Sequence, residues 1–149
     1  IIGKFLFKHS ANLEAEYVYN NAILKEKIKV DYSAMPHAIF SSPQVAGVGA
    51  REQDLKERKI NYAVGRYEFI KSGMGIAMQD NDGFVKIFAD RKTRKILGCH
   101  ILGSEASTLI HEVIVAMKAG LTADAIQNAV HVHPALSEVV QRAVNSIEW

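Results

Sequence analysis

Cysteine is nearly absent from this chain, with Cys99 the single thiol in 149 residues. One cysteine closes no internal disulfide, builds no two-cysteine redox centre and argues for a reducing compartment. Cys99 sits in the apolar run Ile96-Leu97-Gly98-Cys99-His100-Ile101-Leu102 and is expected to be buried as a small hydrophobe. Excess charge is missing too. With 18 Lys and Arg against 16 Asp and Glu mixed along the chain, the formal charge is +2, and the pI near 8.7 gives no ground for nucleic acid or an anionic membrane. No apolar run approaches the roughly 20 residues of a membrane span. The opening Ile1-Ile2-Gly3-Lys4 lacks a signal-peptide pattern, so a soluble, cytoplasmic protein is expected. There is no Gly-x-Gly-x-x-Gly nucleotide loop, no Cys-x-x-x-x-Cys pair, no repeat and no low-complexity segment.

What is present is ordinary in amount and informative in order. An apolar content of 48% allows one domain, with or without a leading fragment, and such a chain buries roughly two-thirds of its unfolded surface. A helix capped by Ser10 is expected over 10–24, followed by charged and linker-like residues to Pro36, where a domain boundary falls. Strands are expected at 37–41, 44–49, 61–70, 83–89 and 95–103, with a charged helix at 51–59. Asp80-Asn81-Asp82-Gly83 and Asp90-Arg91-Lys92-Thr93-Arg94 supply turns, so the last three strands should form an antiparallel meander burying one face. Ser104 should cap a helix over 105–119 that Gly120 stops, and Thr122 another short one. The final helix is expected over 136–147, with Val139, Val140, Ala143, Val144 and Ile147 facing inward.

The run His131-Val132-His133-Pro134-Ala135-Leu136-Ser137-Glu138 concentrates the chemistry. Pro134 biases His133 towards extended backbone, and Glu138 lies in the first turn of the helix that follows, so a short bend can bring its carboxylate back to His133. A carboxylate on Nδ1 orients an imidazole and leaves Nε2 free to accept a proton, as a general base does. From these residues alone a structural histidine, satisfied by a nearby acid, accounts for the pattern as well. His131 shares an extended segment with His133, which raises a metal site completed by His111 or Glu138. Pro134 and a His133–Glu138 bond compete with a compact ligand set, so no metal is expected.

The same run resembles the His-x-His-Pro-Thr-x-x-Glu signature of the FAD-dependent pyridine nucleotide-disulfide oxidoreductases, with Ala135 where threonine is usual. That substitution weakens the expected helix cap by about 1 kcal/mol. Two further stretches are similar to that family's dimerisation domain: 35–49, with its Phe40-Ser41-Ser42-Pro43-Gln44 core, and Lys95-Ile96-Leu97-Gly98-Cys99-His100-Ile101-Leu102-Gly103. Leu6-Phe7-Lys8-His9-Ser10-Ala11 resembles the closing segment of the family's FAD-binding domain, just past a Gly-Asp flavin motif that is not in the chain. Leu136-Ser137-Glu138 resembles dihydrolipoyl dehydrogenases, whereas residues 8–15 and His133-Pro134-Ala135-Leu136 lean towards mycothione reductases.

The resemblance implies an α+β dimerisation domain, a mostly antiparallel sheet flanked by helices, over 31–149, preceded by the tail of a truncated FAD-binding domain and linker over 1–30. It implies a homodimer burying well over roughly 2,000 Å². His133 and Glu138 become the catalytic pair acting on a dithiol or disulfide substrate across the twofold axis, with His131 and Pro134 in support. Leu6, Phe7, Lys8 and His9 become the cofactor-side contacts. FAD and NAD(P) belong to the full-length enzyme, and the fragment alone is expected to bind neither tightly and to be inactive.

Overall fold

A computed structural model describes Gly3 and residues 5–149; Ile1, Ile2 and Lys4, part of the opening stretch read for a signal pattern, lie outside the described residues. After α1 (Lys8–Ala22), the chain forms the hairpin β1 (Pro36–Ile39) and β2 (Gln44–Gly49), then α2 (Glu52–Glu57) and β3 (Tyr62–Glu68). A 3-10 turn (Phe69–Lys71) and α3 (Gly73–Met78) lead to β4 (Phe84–Asp90) and β5 (Ile96–Gly103). Three helices follow: α4 (Ala106–Lys118), α5 (Ala123–Asn128) and α6 (Glu138–Asn145).

The antiparallel sheet has the order β1-β2-β5-β4-β3. The first hairpin holds one edge, α2 carries the chain to the other, and the β3-β4-β5 meander returns to close on β2. Asp90 makes the last turn tight, its Oδ1 accepting the Lys92 and Thr93 amides at 3.0 and 2.7 Å. Register sets which side chains face the helices: Val48, Cys99, Ile87 and Gly65 form one row, and Ala46, Ile101, Val85 and Tyr67 the next. α4 covers the β2 and β5 end of these rows, and α6 covers the β3 and β4 end. Cys99 is fully buried there, and desolvation pushes its thiol far above the usual range, which makes it inert. The expected architecture, one sheet face under helices, is therefore observed. Among the described residues no helix is long and apolar enough to cross a membrane.

Several local expectations differ. α1 starts after Phe7 because the buried Ser10 hydroxyl points backwards, accepting the Phe7 amide at 3.3 Å and lying 2.8 Å from the Phe5 and Phe7 carbonyls. Nor does Ser104 cap α4. Its amide is held by Asp80 at 2.8 Å, and Glu105 enters the helix with a left-handed φ of 56°. The strand expected to reach residue 70 stops at Glu68, and the unforeseen α3 follows, its two glycines having hidden it from a propensity reading. Ser72 caps α3 by accepting the Gly75 amide at 3.0 Å. Gly120 does stop α4: with φ 67° its amide bonds Met117 O at 3.0 Å while the Leu121 amide bonds Ala116 O at 2.9 Å, a Schellman ending.

On the outer sheet face Glu52 of α2 holds Lys86 of β4 at 2.5 Å and Lys56 at 3.1 Å, which pulls its carboxyl down to about 2. A depressed carboxylate stabilises the fold above its ordinary pKa and loses that contribution as pH falls through the folded value. Acid unfolding followed by circular dichroism should therefore be less steep for Glu52→Gln between about pH 4.5 and 2. An unchanged acid limb would remove this pair from the stability balance.

Candidate active site

The carboxylate–imidazole pair is built by the entry to α6. Glu138 N–H bonds Ala135 O at 3.3 Å and Val139 N–H bonds Leu136 O at 3.0 Å, a tight turn that runs into the helix. Three residues after Ala135, the Glu138 side chain reaches back and its Oε2 accepts the Ala135 amide at 3.1 Å. This is the glutamate half of a capping box. Ala135 lacks the hydroxyl that would supply the other half, so the departure from threonine removes one cap bond and leaves the glutamate placed.

From that position both Glu138 oxygens face His133 Nδ1, at 3.0 and 3.1 Å. The Glu138 side chain is 11% exposed and that of His133 is 74% exposed. The acid is thus held inside while the ring presents Nε2 to solvent. The Ala135 amide first, and the His133 ring second, hold the Glu138 carboxyl below the usual carboxylate range. Pro134 follows a cis peptide bond, and the Gly73 end of α3 lies against the His133 ring and Pro134. Underneath, Val139, Val140 and Val144 are buried against the sheet, each contributing about 2 kcal/mol. Ser146 staples the far end of α6 to β3, its Oγ accepting the Arg66 amide at 2.9 Å.

His131 does not share a side with His133. Its Nε2 lies 3.1 Å from Glu112 Oε2 on α4, and its side chain is 9% exposed. Each histidine has its own carboxylate, and among the described residues no three His, Cys, Asp or Glu side chains converge as metal ligands. Glu112 is the residue that sequence reasoning missed. Its signal was a lone carboxylate on the apolar face of α4, between Leu109 and Val113.

The N-terminal candidates gather elsewhere. Leu6 is 87% exposed, Phe7 stacks on the His9 ring at 5.1 Å, Lys8 bonds Asn12, and His9 Nε2 donates to Pro36 O at 2.9 Å. Phe7, Lys8 and His9 line a cleft of about 500 Å³ with Phe40, Ile110 and His111. His133 and Glu138 do not line it. His100 is satisfied by Ala50 O at 3.1 Å, and His37 faces it with ring centroids 6.2 Å apart.

Residues 35–144, from the approach to β1 to the end of α6, match the pyridine nucleotide-disulphide oxidoreductase dimerisation domain. The chain belongs to this family. It is 38% identical over 126 residues to a dihydrolipoyl dehydrogenase of Cupriavidus necator, covering 85% of this chain and 27% of that protein. It is 37% identical over 139 residues to one of Chlamydia trachomatis, covering 93% and 30%. The crystal structure of LpdA from Mycobacterium tuberculosis has the same fold, with a TM-score of 0.88 at 22% identity, covering 96% of this chain and 31% of that one. This dimerisation-domain chain therefore spans between about a fifth and a third of the proteins it matches, and the α+β fold with its mostly antiparallel sheet is the family's.

Proposed function

We propose that this domain completes the active site of a flavin disulfide oxidoreductase of the dihydrolipoyl dehydrogenase kind, with His133 as acid/base and Glu138 as its orienting carboxylate. The observation that carries the reading is the asymmetry of the pair: a carboxylate fixed by the Ala135 amide on Nδ1, and Nε2 open on a ring that is 74% exposed. In the direction of dithiol oxidation Nε2 takes the proton of one substrate thiol. The resulting thiolate attacks a disulfide sulfur, a mixed disulfide forms and the displaced sulfur leaves as thiolate. The second substrate thiol then gives its proton to solvent and attacks the substrate sulfur of the mixed disulfide, whose S–S bond breaks as the remaining protein sulfur leaves as thiolate. The proton on His133 is released or, in reverse, returned.

The reacting disulfide lies outside this chain, since Cys99 is single and buried. We assign residues 1–30 to the end of an FAD-binding domain and 31–149 to the dimerisation domain, in a cytoplasmic homodimer. The exposed start of α1 beside the cleft suits a cofactor: a helix N-terminus has amides without helical partners and a partial positive charge. Leu6, Phe7, Lys8 and His9 are the residues that would meet the flavin. FAD and NAD(P), when bound, carry the two electrons that leave the dithiol.

The test is turnover by the full-length protein. Dihydrolipoamide with NAD should yield lipoamide and NADH, followed by NADH absorbance. Faster reduction of oxidised mycothiol than of lipoamide would replace this reading with the low-molecular-weight disulfide reductase suggested by residues 8–15.

A further inference from the structure

The two histidines of the His131-Val132-His133 segment sit in different surroundings. His133 meets a carboxylate at one nitrogen and solvent at the other, so a neutral ring with hydrogen on Nδ1 satisfies it. His131 is hemmed in on both sides. Its Nδ1 lies 3.2 Å from Ala129 O and its Nε2 lies 3.1 Å from Glu112 Oε2. A carbonyl oxygen only accepts, so Nδ1 carries a hydrogen. A neutral ring then has a lone pair on Nε2, and an ionised carboxylate would set another lone pair against it. A proton must lie between them.

The second oxygen of Glu112 decides which partner carries that proton. Oε1 is buried and has no hydrogen-bond partner among the described residues. An anionic oxygen without water or donors costs far more than the carbonyl oxygen of a neutral acid. We infer that Glu112 is kept as the neutral acid, donating its O–H to His131 Nε2, and that this pair is a proton-dependent latch fixing residues 129–134 to α4 and so positioning His133. Burial pushing the Glu112 carboxyl up agrees with this arrangement.

The latch is tied to the site from the other side as well. Ala129 O, which accepts from His131, also accepts from the side-chain Nε2 of Gln141 on α6 at 2.7 Å. One carbonyl thus joins the His131 segment to the helix that carries Glu138. The titratable groups around the latch are the buried Cys99 thiol of β5 and the His133–Glu138 pair beyond Val132. Among the described residues His131 is the side chain that meets the Glu112 carboxyl. Since the folded carboxyl is raised, the latch is fully closed below the ordinary glutamate value of 4.5 and opens as pH rises through the folded one.

The inference deepens the His133 reading and rests on it only for its kinetic arm. Infrared difference spectra of the full-length protein against Glu112→Gln, taken near neutral pH, should show a protonated carboxyl band that the variant lacks. In turnover, Glu112→Ala should lower kcat roughly tenfold through misplacement of His133, with KM held within about twofold. Glu112→Gln, whose amide N–H can still donate to Nε2, should recover most of that loss and move the alkaline limb of kcat upward. Absence of the acid band overturns the inference. So do superimposable kcat–pH profiles for the parent and both variants. If Glu112→Ala fails to fold, the infrared arm and Glu112→Gln decide alone. A protein inactive towards every disulfide would retire the base reading while leaving the infrared result to judge the latch.

Discussion

His133→Gln in the full-length flavoenzyme should slow dithiol oxidation by about a hundredfold or more, the usual loss when a positioned general base is removed. That loss is about 2.7 kcal/mol of transition-state stabilisation. Glutamine can still offer an amide hydrogen to Glu138, so the turn built on Ala135 and Glu138 survives and the effect is chemical. Two readouts separate this from damage to the fold. Steps between NADH and the flavin, which move no thiol proton, should keep their rates in stopped-flow absorbance. The pH dependence of dithiol oxidation should flatten, because the group that accepts the proton is gone. Unchanged turnover would leave His133 as a structural histidine and retire the pair as catalytic machinery.

Gly65→Ala should strongly destabilise the half of the domain that carries the His133–Glu138 pair. Gly65 lies on the inner sheet row beneath α6, and a Cβ there would stand 2.0 Å from Ala143 O and 2.7 Å from the Ile147 side chain. The first contact is with helix backbone, which no rotamer change can relieve. Overpacking of this kind costs about 3 kcal/mol, a fall in Tm of roughly 10 °C for a domain of this size. α6 must lift to admit the methyl, and Glu138 lifts with it. Thermal unfolding should show the loss of stability, and dithiol oxidation should fall in the folded fraction as the His133–Glu138 geometry loosens. A Tm within about 2 °C of the parent would mean that α6 rides on β3 more loosely than its Ser146 staple indicates.

The His133–Glu138 pair was legible because its cause is local. A proline, a short turn and a glutamate in the first turn of a helix act within six residues, and the chain has little choice about where that carboxylate goes. The meander was legible for the same reason, since Asp90 and Asp80 make their turns with neighbours in sequence. Capping was less so. Ser10 and Ser104 have the side chains of caps, yet Ser10 turns to the preceding carbonyls and Ser104 lends its amide to Asp80, 24 residues away. α3 was hidden because glycine lowers local helix propensity while the Ser72 cap and packing against the Phe69 turn supply what propensity lacks.

Sequence by itself determined the class of fold, the order of the five strands, the inward face of α6 and the identity of the carboxylate beside His133. Each depends on periodicity or turn chemistry acting over a few residues. Tertiary structure alone decided that His131 belongs to Glu112 rather than to His133, that Gly73 lies against the His133 ring, and that the start of α1 opens into a cleft apart from the pair. Those facts depend on how α4, α3 and α6 come to rest on one sheet. Which distant groups then meet is set by close packing over the whole core, and no local stretch of chain carries that information.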